Sequence, residues 1–586
     1  MTIGLYINNT QSRAKYIINL IFSTSGISYT PINQLTNIPK VDVAILCNYS
    51  DQIINTLTNK GIHCVLLPSK IDDINNNKTN NYIGWISNKI LEDIPVFSQK
   101  DVQILYGNVL FFWKNSTLPA ITLTKKNSGS IVNFGFDILS SIFFLCIDTE
   151  SISNQKPDKH LRSQARTSFH YKNHLLSKPL LNIYIKVFIS IFHNLTNVKK
   201  NVILQKWYWP NNMEYAACLT HDIDVVKKWS PGKIKDELIN HIFIPIVHNS
   251  NKISTLKRFI NVMVSMFRLE NCYWNFDKIM NIEDTYNFKS SFFLSTEKDI
   301  SNGLEYDVTN KKIVKMLKKI IKKGWEIGLH GSYYSYNNNK KLQSEKSKLE
   351  NLIETEVIGI RQHILRFETP STWLEQQSAG LLYDCTYGYA DYEGFRAGIG
   401  FPFFPYNAHK NENIGILEIP LTVMDGTLGN YRKLKAENAK LVVFDLIENI
   451  RTYNGIGCFL WHNKYFDDLD YPGYGQLYND VLKLLHNDNA FVSSGKEVYK
   501  WWISRAAVVL EKEILTDSHC EWTFKNNGDK IDGLTFKIHY SFTNNIPSIN
   551  IVPDLNIKTF ITDKNEIITI ISSVPQHHTF KIKLEY

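Results

Sequence analysis

From residue 215 onward short β-like runs alternate with stretches in which apolar residues recur every three or four positions. The runs 216–220, 291–295, 326–329, 357–360, 381–384, 416–423, 458–461 and 491–493 predict strands buried on both faces. Between them 310–323, 341–354, 371–380, 436–452 and 477–486 carry helical periodicity, and 496–509 predicts a closing helix. Alternation of this kind argues for a parallel sheet, closed as a barrel or doubly wound. Functional side chains are then expected at the C-terminal strand ends.

The pattern differs on either side. Residues 1 to about 200 alternate β-like runs (3–7, 41–47, 63–67) with helical stretches, and 23–26 and 75–81 supply turn or loop punctuation. Segment 132–146 predicts a strand and then a buried helix, and the polar stretch 148–178 predicts a long loop. Gly129 and Gly135 are too sparse for a phosphate-binding loop. After residue 510 short runs at 534–540, 549–552, 559–562, 567–571 and 579–584, separated by Asn, Asp and Pro, fit a small antiparallel sandwich. A chain of 586 residues is too long for one core. We therefore expect an N-terminal α/β domain (1–205), a second α/β domain (206–510) and a small C-terminal β-sandwich-like domain (511–586).

Composition changes this picture little. With 44% hydrophobic and 21% charged residues the chain reads as folded. The net charge of +9 is modest, and its densest basic run (Lys311-Lys312, Lys315, Lys318-Lys319, Lys322-Lys323) falls on a predicted helix. A solvated face is the plainer reading of that run, and an anionic partner such as a nucleotide-linked sugar or phospholipid-linked glycan is the alternative. With no zinc-finger spacing and no basic-aromatic array, nucleic acid is not an expected partner. Eight cysteines without a CxxC pair predict reduced, buried thiols and a cytoplasmic protein. The N-terminus lacks the signature of a secretory leader, and no run approaches the ~18 apolar residues of a spanning helix. Peripheral membrane contact and the oligomeric state stay open.

The chemistry begins at Thr220-His221-Asp222-Ile223-Asp224, at the end of a predicted strand. A period of two places Asp222 and Asp224 on one face. Two such carboxylates repel unless positive charge lies between them. A divalent metal held by one, with the other free to accept a proton from water, satisfies both. Taken alone, the pair reads equally well as turn or cap residues. His330, His363 and His462 stand at or just past three further strand ends, and that recurrence favours a site over scattered structural histidines.

Over roughly residues 215–509 these motifs resemble the polysaccharide deacetylases, carbohydrate esterase family four. The resemblance implies a distorted seven-stranded (β/α) barrel and a divalent metal, with Zn²⁺ the expected ion. Thr220-His221-Asp222 is similar to the family's Thr-Phe-Asp-Asp, with the second carboxylate displaced to Asp224. This implies Asp222 as general base and Asp224 as metal ligand. His330 matches the first histidine of His-(Ser/Thr)-x-x-His, but Tyr334 occupies the position of the second. The third ligand therefore falls to His363 or, alternatively, to Tyr334 or a water. Arg361 resembles the arginine that orients the base. Asp425 resembles the aspartate that tunes the general acid, although the tryptophan that usually accompanies it is absent. Leu460-Trp461-His462 matches Leu-x-His and implies His462 as that acid. The stretch 384–396 is similar to a bacterial subgroup in which an uncharacterised N-terminal domain precedes the catalytic one, often linked to surface-polysaccharide production.

The implied reaction is removal of an N- or O-acetyl group from a sugar or glycan intermediate. Trp373, Tyr389 and Phe395 are candidate stacking faces for a sugar ring, with core packing the competing reading. Arg396 is a candidate for a substrate carboxylate or phosphate, and a backbone N–H within 389–394 for the oxyanion. Two rivals stand beside this reading. One is a barrel that lost its metal and serves in glycan binding or assembly, motivated by Tyr334. The other is a metal hydrolase that opens cyclic amides.

Overall fold

The computed structural model describes residues 1–7, 12–34, 38–47, 49–68, 83–88, 91, 94–97, 107–146, 157–196, 202–229, 234–235, 237–244, 252–267, 272–516, 518–541, 547–553, 555–562 and 565–586. The predicted turn at 75–81 and the first part of the predicted loop, 148–156, lie outside them.

The N-terminal segment forms a nine-stranded mixed sheet. Its parallel half is Thr30–Pro31, Ile3–Tyr6, Val43–Leu46, His63–Leu66 and Gly129–Phe134. The other half is antiparallel and includes Pro119–Lys126, Asn108–Trp113 and Ile83–Ser87. This half is not among the predicted strands, although 109–113 (Val-Leu-Phe-Phe-Trp) is an unbroken apolar run. In Asn108–Trp113 just Phe111 is fully enclosed. The Ile138–Cys146 helix is buried along its whole length, packed against the Ser12–Ser25 and Leu180–Thr196 helices.

The central segment is built on parallel strands in the order Leu417–Glu418, Tyr383–Asp384, Gly359–Gln362, Glu326–Gly331, Ser291–Leu294, Ala216–Ile223, Ile456–Leu460 and Leu421–Met424. The first and last of these are neighbours in sequence. Pro420 between them has no N–H to give to a ladder, so pairing passes there from Tyr383–Asp384 to Ile456–Leu460. The sheet thereby returns on itself as seven parallel strands, the arrangement of a (β/α) barrel. Phe491–Ser493 lies beside the first half of Ala216–Ile223. Two strands run further than their apolar runs suggest, because polar residues continue the ladder: Asp222 pairs with Phe293, and His330 with Arg361. The lysine-rich helix, Lys311–Lys322, buries Ile313, Met316, Leu317 and Ile320 and ion-pairs Lys318 with Glu354 and Lys319 with Asp277. It is a solvated face.

The C-terminal strands form two four-stranded antiparallel sheets, with Phe524 and Phe580 of one meeting Phe536 of the other. One sheet takes in Val202–Lys206 from far earlier in the chain, paired with Ile531–Tyr540. The predicted helix 496–509 ends at Ala507, and Val508 already begins a strand. Just before it, the buried Arg505 donates to the carbonyls of Ser23, Thr24, Lys206 and Trp207. It thus satisfies the open C-terminal end of the Ser12–Ser25 helix and ties three parts of the molecule together. The eight cysteines are free, and all but Cys272 are buried. Among the described residues no helix is long and apolar enough to cross a membrane.

Candidate metal and acid–base site

The alternation of the Ala216–Ile223 strand sorts its polar residues. His221 points away from Asp222, donating Nδ1–H to the Trp461 carbonyl at 2.6 Å with Nε2 2.8 Å from the buried Glu283 carboxylate. Glu283 also accepts from Ser290, Trp325 and Tyr478. His221 is therefore scaffold. Asp222 and Asp224 face the opposite way, into a cavity of about 160 Å³ that His330, His363 and His462 also line.

Hydrogen bonds set the tautomers of two of these histidines. His330 Nδ1 lies 2.9 Å from the Arg361 carbonyl and His363 Nε2 lies 2.7 Å from the Asn302 carbonyl. A carbonyl can only accept, so each of those nitrogens carries the proton and the other nitrogen presents a lone pair. The two lone-pair nitrogens, His330 Nε2 and His363 Nδ1, are 3.0 Å apart. Asp224 Oδ1 is 3.5 and 3.7 Å from them, buried and without a hydrogen-bond partner. Three buried donors converging without a proton between them fit a cation, and an Asp-His-His set suits Zn²⁺ or a similar divalent ion. Burial, partly offset by Asp224, pushes the His363 imidazole down to about 4, so it is neutral and free to ligate. Burial would raise the Asp224 carboxyl, but the charge of Lys464 above all holds it well below the usual range.

Across the cavity His462 Nδ1 donates to Asp425 Oδ1 at 2.6 Å, and the same carboxylate accepts from the His462 and Gly426 amides. This leaves His462 Nε2 facing the cavity, 3.7 Å from Asp224 Oδ2. Burial disfavours its imidazolium, yet Asp425 outweighs that and raises the pKa above the ordinary value. Asp222 Oδ1 is buried with no hydrogen-bond partner. Arg361 donates to Thr220 Oγ1 at 3.0 Å, while its Nε and Nη1 have no partner. Its bearing on Asp222 is through charge.

Other expected site residues lie elsewhere. Tyr334 is 62% exposed, its ring against Tyr333 and Arg366, and it does not line the cavity. The four candidate substrate contacts are packing residues. Trp373 is enclosed between Phe367 and Tyr387 and donates to Glu418 at 2.8 Å. Tyr389 packs on Ala165 and Leu176, Phe395 is fully buried, and Arg396 stacks on Tyr387 at 4.1 Å and donates to Ser163. The Gly394 amide, from the stretch proposed for the oxyanion, donates to the Thr422 carbonyl. For Tyr389, Phe395 and Arg396 the cause is segment 157–178, which meets the 384–396 loop through Ala165, Leu176 and Ser163.

That same segment contributes a residue the sequence reading missed. Arg162 lines the cavity, held by Asp158, and donates Nη1–H to the Ile364 carbonyl at 2.6 Å and Nη2–H to Tyr431 at 2.9 Å. Ile364 follows His363 with φ +59°, a left-handed conformation that strains a β-branched residue. Arg162 thus pins the strained backbone that carries the third donor. Lys464, 3.2 Å from Asp224 Oδ2, was also missed; its position two residues past His462 was the available signal.

Residues 3–197 match a family of unknown function, DUF7033. No curated protein matches the chain. Similar solved structures include a chain from Mycobacterium smegmatis provisionally named a polysaccharide deacetylase, 14% identical over 50% of this chain and 92% of its own, with a TM-score of 0.33. The Xyl-CE4 domain of a multidomain xylanase from the hindgut metagenome of Trinervitermes trinervoides is 11% identical over 49% and 90%, at 0.25. A CE4 family pseudoenzyme from Bacillus anthracis is 10% identical over 49% and 66%, at 0.26. At these identities and scores the likeness assigns no activity to this chain.

Proposed function

We propose that the chain is a metal-dependent hydrolase that removes an acetyl group from a sugar, as an amide or an ester, in surface-polysaccharide metabolism. The observation that carries this reading is the opposed pair across one cavity. An Asp222 carboxylate whose Oδ1 has no hydrogen-bond partner stands on one side, the hydrogen-bonded His462–Asp425 couple on the other, with the Asp224–His330–His363 donors between. A divalent ion on those donors supplies Lewis acidity, polarising an acyl carbonyl and making water easier to deprotonate. Asp222 Oδ1 then accepts the proton of the attacking water, with the buried Arg361 charge nearby. His462 Nε2 delivers a proton to the departing nitrogen or oxygen, and Asp425, by raising the His462 pKa, holds that proton to higher pH than an ordinary histidine would. The cavity of about 160 Å³ falls below the roughly 300 Å³ of sites that enclose a whole small ligand, so it admits the acyl group while the sugar rests outside.

The test is acetate release from N- and O-acetylated sugars by the Zn²⁺-loaded full chain. Turnover should fall about 10²–10⁴-fold in Asp222→Asn with metal content unchanged, because the base alone is removed. Asp222→Asn retaining most activity would refute the base assignment. Lys464 supports a second reading, a glycan-binding barrel without catalysis, since its ammonium already offsets the Asp224 charge. Glycan binding by a chain that releases no acetate under any metal would favour it.

A further inference from the structure

Between Asp224 and the next barrel strand the chain inserts a segment, 226–270, whose apolar side chains face the wrong way for a soluble helix. The Lys252–Phe267 helix buries Thr255 and Val262, yet leaves Leu256 (60%), Phe259, Ile260 (51%) and Val264 exposed. Those positions follow helical spacing and make one continuous outward stripe. The adjoining Glu237–Phe243 helix adds Ile239 and Phe243 (64%), and Arg258 locks the two helices together through Glu237 at 2.6 Å. Of the nineteen large hydrophobics exposed among the described residues, seven lie between positions 239 and 264. This is a patch, not scatter.

Charge indicates what covers it. In sequence the segment holds eight Lys and Arg (Lys227, Lys228, Lys233, Lys235, Lys252, Lys257, Arg258, Arg268) against three acids (Asp236, Glu237, Glu270). That is a net +5 in 45 residues, out of +9 for the whole chain. Among the described residues its acid, Glu237, is buried against Arg258, while Lys235 and Lys257 are exposed. An amphipathic helix with an outward apolar stripe and basic flanks fits an anionic bilayer surface better than a second copy of this basic chain, whose like charges would repel. The segment is also anchored at the site. Asn463, beside His462, donates to the carbonyls of Val225 and Tyr273, and Lys228 pairs with Asp467 and Asp470 of the same loop.

We propose that the Glu237–Phe243 and Lys252–Phe267 helices dock the protein on an anionic lipid bilayer. This docking does not depend on the acetyl-removing chemistry proposed above. The test is co-sedimentation of the full chain with vesicles of phosphatidylcholine alone or mixed in equal parts with phosphatidylglycerol. Binding should be about tenfold or more stronger to the anionic vesicles and should weaken as salt rises. The double substitution Leu256→Ser with Ile260→Ser should abolish it, and Lys235→Glu with Lys257→Glu should weaken it, each with unchanged circular dichroism and metal content. A chain that stays in the supernatant with anionic vesicles, or variants that bind as well as the parent, would overturn the proposal. So would a concentration-dependent dimer in light scattering that Leu256→Ser dissolves without any vesicle binding.

Discussion

Two histidine lone pairs turned toward each other, 3.0 Å apart and beside a bare carboxylate oxygen, are the most demanding arrangement in the molecule. Its members were legible as residues at strand ends, but its geometry was not, since the strained left-handed residue that follows His363 leaves no mark in the sequence. Arg162, which holds that turn, is distant in sequence and carried no local signal. Arg162→Ala should therefore weaken metal affinity about 10–100-fold, as loss of a ligand's supporting contact does, measured by competition with a chelator. Arg162→Lys, which keeps a donor toward Ile364, should restore part of it. The His462–Asp425 couple makes a pH prediction. Asp425 raises the His462 pKa, so the acid form persists as pH rises and activity falls only through that raised value. Asp425→Asn should move the alkaline limb of the rate profile to lower pH, and an unmoved limb would remove His462 from the acid role. The aromatic residues near 389–396 misled because an aromatic in a glycine-rich loop reads alike whether it meets a sugar or a covering segment.

Among elements, the parallel strands were legible because burial on both faces writes an unbroken apolar run. The strand His519–Asn526, with one wetter face, wrote a weaker alternating pattern and was missed, as was Asn108–Trp113 despite its apolar run. The predicted helix ends fell within a few residues of the observed ones, even at Ala507, where the Gly495–Ala507 helix passes directly into a strand without Gly or Pro. Arg505 in that helix is the element-scale keystone. Its guanidinium answers four buried carbonyls, and burial lowers its pKa to about 10, well above neutrality, so it remains charged. Arg505→Leu leaves those carbonyls unpaired and should destabilise the fold by about 3–5 kcal/mol in urea unfolding. A loss below about 1 kcal/mol would mean that water replaces it.

At the scale of the whole molecule, the interleaving of distant segments was not readable. No local pattern announces that Val202–Lys206 pairs with Ile531–Tyr540, because strand pairing across more than 300 residues depends on the finished fold. Where the Leu180–Thr196 helix meets that sheet, His193 and His539 lie with ring centroids 4.7 Å apart, and burial pushes each down to about 4. Unfolded histidine titrates near 6.5, so between those values the unfolded chain binds more protons and stability is lost as pH falls from about 6.5 toward 4, at most about 3 kcal/mol per histidine. His193→Phe should shrink the difference between urea midpoints at pH 7 and pH 5, and an unchanged difference would place the acid sensitivity elsewhere. The central claim concerns the cation site, and metal stoichiometry of the purified full chain tests it most directly. One divalent ion per chain is expected, lost in His363→Ala and kept in Tyr334→Phe. A chain that binds no divalent ion, or one that loses it with Tyr334 and not with His363, would contradict the account.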